Sequence, residues 1–192
     1  MTRHLVEAGH RVVATDASPA MLELARDAVP GAEAIRLLTL PDDRLLECDA
    51  VVSVGHVLSY LPDEASLEAA LAGAARSLRP GGVFALDLLD LRYGDDLAPD
   101  ERRGRAGDDW AVIVRLSRPA ENLFLREITT FVRTEEGAWR RDDERHENVL
   151  VDTSRIPPLL AQHGLDVRVS DSFGAEKLPT GLVAIVGRRQ AS

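Results

Sequence analysis

The chain has 192 residues, a length suited to one domain with a sizeable core, and 45% of them are hydrophobic. Its formal net charge of −9 repels a polyanion on average, which argues against DNA or RNA as a partner. Cys48 is the single cysteine, so no internal disulfide can form; the charged opening residues do not read as a signal peptide, no run is long and apolar enough for a membrane span, and a cytoplasmic location is expected.

Thr2 to Ala8 read as the end of a helix, stopped by Gly9. Arg11 to Thr15 form a short β-rich run with Asp16 at its carboxyl end. Ser18 then caps a helix with Pro19 in its first turn, where a missing N–H costs nothing. Met21, Ala25 and Ala28 recur on one helical face, and Pro30-Gly31 close the element. Ala34 to Leu38 is the next strand candidate. Ala50 to Val54 is a continuous apolar run, as expected of a strand buried on both faces. Asp63 caps a helix whose Leu67, Leu71, Ala74, Ala75 and Leu78 make one stripe, broken by Pro80-Gly81-Gly82 before the strand Val83 to Leu89.

Alternating strands and helices imply an α/β domain with a parallel sheet. The pattern then changes. Arg92 to Asp109 is a charged, Gly-rich linker, and three β-like runs follow without helices: the alternating segment from Trp110, Leu123 to Arg133, and the polar Ala138 to Val151. They predict an antiparallel meander over residues 110–151, inserted in a single domain of residues 1–192. From Ser154 the α/β pattern resumes with a helix carrying Pro157 and Pro158, ended by Gly164, and two last strands, Val167 to Val169 and Leu182 to Val186.

Four segments carry a family resemblance: HRVVATDASPAML (from His10), CDAVVSVGHVLSYLPD (from Cys48), LRPGGVFALDLLD (from Leu78), and the closing helix with two strands. Their order and spacing resemble the class I S-adenosylmethionine-dependent methyltransferases over about two thirds of the chain. The resemblance implies a Rossmann-like sheet closed by a reverse hairpin, with the meander covering a small-molecule acceptor. It implies S-adenosyl-L-methionine as cofactor. Asp16 would take both ribose hydroxyls, since a carboxylate accepts two hydrogen bonds from a vicinal diol. Ala17 would lie against the adenine with Met21 nearby, and Val54 and Gly55 beside the methionine part. His56 is the candidate base or substrate contact, its alternative being a histidine that orders the loop. Tyr93 and His146 are candidate substrate contacts, whereas Tyr60 is read as core packing and Cys48 as inert.

Two departures from the family pattern matter. Its first strand and glycine-rich loop would precede Thr2, so the expectation is a sheet lacking its first central strand, in a truncated version of a longer protein. The other way to fill that gap is a partner chain, including self-association; the oligomeric state is left open. After the third strand no acid follows Ile35 to Leu40, so the adenine would rely on backbone atoms of Leu37 or Leu38, or on Asp42. The competing readings are a non-catalytic binding module of the same fold and a nicotinamide dehydrogenase fragment, whose strand-end acid also binds a ribose. No metal-ligand spacing is present.

Overall fold

In the computed structural model, residues 1–191 are described; Ser192, the last residue of the expected domain, lies outside them. The chain opens with α1 (Thr2–Glu7), β1 (Val13–Asp16), α2 (Pro19–Ala28) and β2 (Ala34–Leu37). Ser18 caps α2 by accepting from the Met21 amide. β1 and β2 pair in parallel, Asp16 opposite Leu37, as a two-stranded sheet of their own.

Next come β3 (Cys48–Ser53), a 3₁₀ turn (Val57–Tyr60), α3 (Glu64–Ser77) and β4 (Leu78–Leu89). Asp63 caps α3 through the Ser66 amide at 2.7 Å. β3 lies parallel to β4. The chain finishes with α4 (Ile156–Ala161), β9 (Leu165–Ser170), the short pair β10 (Ser172–Phe173) and β11 (Glu176–Lys177), and β12 (Leu182–Arg189). β12 runs antiparallel between β4 and β9, which gives a mixed sheet in the order β3-β4-β12-β9. This is the reverse hairpin the sequence implied.

The main core is one side of that sheet. Leu67, Leu71 and Ala75 of α3 meet Phe84 and Leu86 of β4, with Leu160 and Ile185 completing the layer. A satellite core of Leu89, Leu116, Phe124 and Leu150 joins it to the insert.

Several expectations need correction. The insert has four strands, not three: β5 (Arg102–Ala106) emerges from the segment read as a linker and pairs with β6 (Trp110–Ala120), followed by β7 (Leu123–Arg133) and β8 (Trp139–Val149). β5 is entirely exposed and rich in arginine, so it carries no apolar alternation by which to find it. The inward residue of α2 is Leu22, at 3% exposure, while Met21 on the expected face is 52% exposed. β3 is not buried on both faces, because Ala50 is exposed and Val51 and Val52 are half-buried. The physical reason is its edge position: among the described residues β4 is its only partner, and it makes no ladder with β1.

Candidate active site

The carboxyl end of β3 turns sharply into the 3₁₀ helix. Gly55 has φ +94, and a Cβ there would meet nothing within 4 Å. His56 follows at φ 48, a left-handed conformation that a residue with a Cβ rarely adopts and that surrounding contacts must hold. Asp87 supplies them. Its carboxylate, on β4 and only 5% exposed, accepts from the Gly55 amide at 2.9 Å and from the His56 amide at 2.7 Å. Two charge-assisted bonds on adjacent amides fix the turn that carries the imidazole.

The imidazole meets the insert. Nη2 of Arg126, on β7, lies 2.9 Å from His56 Nε2, 2.6 Å from the Tyr60 hydroxyl and 2.9 Å from Asn148 Oδ1. A guanidinium only donates, so His56 Nε2 accepts and the ring is neutral with its proton on Nδ1. Burial first, then the Arg126 charge, push the His56 pKa below the ordinary histidine range, with Asp87 acting weakly the other way. The Tyr60 oxygen likewise accepts from Arg126, which leaves its O–H to face Nδ1 of His146 at 3.2 Å. Nε2 of His146 in turn lies 2.8 Å from the Glu144 carboxylate. The direction of donation is therefore consistent along the whole chain, from Tyr60 through His146 to Glu144. The His56 and Tyr60 rings stack at 5.9 Å, and Arg126 lies 5.7 Å over the Tyr60 ring.

Register explains the convergence. Arg126 stands directly opposite His146, and Phe124 opposite Asn148, so all four project from one face of the β7–β8 ladder. Phe124, buried at 2%, anchors that face in the satellite core.

The other expected residues lie elsewhere. Asp16 sits at the tip of β1, one carboxylate oxygen accepting from the Ser18 amide at 2.8 Å and the other without a partner among the described residues. Ala17 beside it is exposed, Leu37 opposite it is 58% exposed, and Leu38 is half-buried with its amide on the Asp16 carbonyl. Val54 is 42% exposed beside Gly55. Asp42 is exposed and makes no side-chain hydrogen bond among the described residues, whereas Asp43 accepts from the Thr39 amide at 2.7 Å. Tyr93 is not with the histidines; it packs edge-on against Phe124 at 4.8 Å in the satellite core. Tyr60, read as core packing, is instead 45% exposed and central to the cluster. Asp90, another strand-end acid, is structural: it binds Thr153 and Arg92, and these bonds outweigh burial and lower its pKa.

The sequence reading missed Asp87 and Arg126. A signal existed for both: Asp87 interrupts an apolar strand, and Arg126 stands between Phe124 and Ile128 at the two-residue spacing of an inward face.

Known proteins share this architecture. Residues 1–86 match the family described as methyltransferase domain. A S-adenosylmethionine-dependent methyltransferase from Clostridium acetobutylicum ATCC 824 superposes with a TM-score of 0.80 at 18% identity, over 95% of this chain and 76% of that one. The chain has the class I methyltransferase fold. The sugar N-methyltransferase KedS8 from Streptoalloteichus sp ATCC 53650 matches this chain with a TM-score of 0.78 at 23% identity, covering 97% and 74%. CalS10 from Micromonospora echinaspora, an amino pentose methyltransferase solved with S-adenosylmethionine bound, matches at 0.73 and 20%, covering 94% and 74%. No curated protein sequence matches. Among the described residues no helix is long and apolar enough to cross a membrane.

Proposed function

We propose that this protein moves a methyl group from S-adenosyl-L-methionine to a small-molecule acceptor held between the end of β3 and the β7–β8 face. The observation that carries the reading is the polar cluster itself: His56 and Tyr60, just past the strand end, meet Arg126 and His146 of the insert at hydrogen-bond distances. Open α/β sheets bind ligands beyond the carboxyl ends of their strands, and this cluster stands there.

The residues present fit the cofactor. The free oxygen of Asp16 suits a ribose hydroxyl, the exposed Leu37 side chain suits an adenine face, and the open space over Gly55 with Val54 beside it suits the methionine part. The cofactor supplies an activated sulfonium methyl, so the protein chiefly aligns the reactants and handles protons. Asp87 holds the Gly55–His56 turn. His56, neutral and accepting from Arg126 at Nε2, has its Nδ1–H left to donate to the acceptor. Tyr60 donates toward His146, whose other nitrogen hands its proton to Glu144, so a proton arriving at Tyr60 has a path outward.

We further propose that the β1–β2 pair and the β3-β4-β12-β9 sheet are two parts of one sheet, with β1 and β3 flanking a strand position that the described residues leave open. That same break favours a second reading, a non-catalytic module of this fold. Titration calorimetry with S-adenosylhomocysteine separates the two. Saturable binding that Asp16→Ala weakens about tenfold or more supports the methyltransferase reading. A cooperatively folding chain with no affinity supports the module.

A further inference from the structure

Arg126 is electrostatically out of place. Of the ten arginines on β5–β8, eight form ion pairs with carboxylates. The two exceptions are Arg105, which is exposed, and Arg126, which is half-buried. In a chain of net charge −9, a half-buried guanidinium bonded only to neutral groups is an uncompensated cation. The carboxylate of its own cluster, Glu144, is engaged by His146 and forms no ion pair with it.

The spare hydrogen-bonding capacity has one sign. Nη2 carries two hydrogens for three acceptors, while the buried Nε–H of Arg126 has no partner. Beside it Asn148 is fully buried, its oxygen on Arg126 and its Nδ2 also without a partner. Both orphans are donors. Buried donors left open cost free energy, and a ligand that accepts from them recovers it. A neutral hydroxyl or amine would leave the charge uncompensated; an oxyanion satisfies charge and donors together, and the planar guanidinium suits its paired oxygens.

We infer that Arg126, with Asn148 beside it, is a specificity subsite for an oxyanion, carboxylate or phosphoryl, carried by the acceptor close to its methylated atom. This rests on the proposed methyltransferase reading for the acceptor's role, but the anion site itself is testable without the cofactor. The insert would then discriminate among acceptors, because one lacking the anion leaves the guanidinium uncompensated.

The test titrates isotope-labelled protein with sodium phosphate and, separately, sodium acetate at ionic strength fixed by sodium chloride, following the Arg126 Nε–H and the His56 and His146 ring signals. Saturable shifts with at least one anion, and none with acetamide, are expected; whichever anion binds tighter distinguishes phosphoryl from carboxylate. Arg126→Gln should weaken binding about tenfold or more, Arg126→Lys less, and the exposed control Arg105→Gln not at all. Shifts that never saturate, or that acetamide reproduces, overturn the proposal. So does unchanged affinity in Arg126→Gln; if that variant does not fold, the wild-type Arg126 signal decides. A parallel S-adenosylhomocysteine titration keeps the readings apart: cofactor binding without anion binding removes the subsite alone, and anion binding without cofactor binding removes the methyltransferase reading alone.

Discussion

The amino-terminal third and the rest of the molecule are built to different standards. From Met1 to Val57 a single side chain, Leu22, is buried, and α1 buries none. From Leu58 onward the chain contains the whole of the main core, with Leu67, Leu71, Phe84, Leu160 and Ile185 at 0% exposure. The residues proposed to hold the cofactor, Asp16 to Leu38, lie in the thin region. The residues proposed to handle the acceptor and its proton lean on the packed one, through Asp87 and Phe124. One site thus draws on two regions of unequal local stability, and the loosely packed one is the region a ligand has most scope to order.

Core truncations give the largest effects. Phe84→Ala should cost about 3–5 kcal/mol in denaturant unfolding, whereas Leu22→Ala should cost about 2 kcal/mol or less, because half-exposed surroundings can collapse onto the gap. Equal costs would mean the two regions are packed alike. Asp87→Asn comes next. Replacing an acceptor oxygen by a donor leaves an amide of Gly55 or His56 unsatisfied, which costs about 1–3 kcal/mol; the His56 ring signals should shift while those of the main core stay put.

The pH dependence isolates the packed side of the site. Folding lowers the His56 pKa, so the unfolded chain binds the proton more readily. Stability should therefore fall as pH drops below about 6.5, the ordinary histidine value, until the folded-state pKa is passed. His56→Gln should flatten that part of a pH–melting curve; an unaltered slope contradicts the assigned environment. Smallest is Asp63→Ala, which removes the α3 cap at an exposed position and should lower the melting temperature slightly.

Much of the α/β part was legible because its signals are local. Ser18-Pro19 and Asp63 mark helix starts by capping chemistry, and Val83 to Leu89 marks a buried strand by apolar content alone. The insert was less legible, since β5 is exposed throughout and β8 spends most of its side chains on ion pairs, so neither shows apolar alternation. The site was legible only in pieces. His56 and His146 were each visible, but Tyr60 and Arg126, which join them, lie far apart in sequence, and register alone makes them neighbours. Tyr93 shows the converse: an aromatic in a plausible loop whose edge-on packing with Phe124 occupies it elsewhere.

Amide hydrogen exchange with and without S-adenosylhomocysteine probes both halves of the cofactor site at once. Protection should rise at Val13–Asp16, Leu38 and Gly55–His56, and hardly change at Leu86 or Ile185. Protection that is unchanged at the β1 tip, or that rises only on the far side of the sheet, would contradict a cofactor site assembled from Asp16 and the β3 turn.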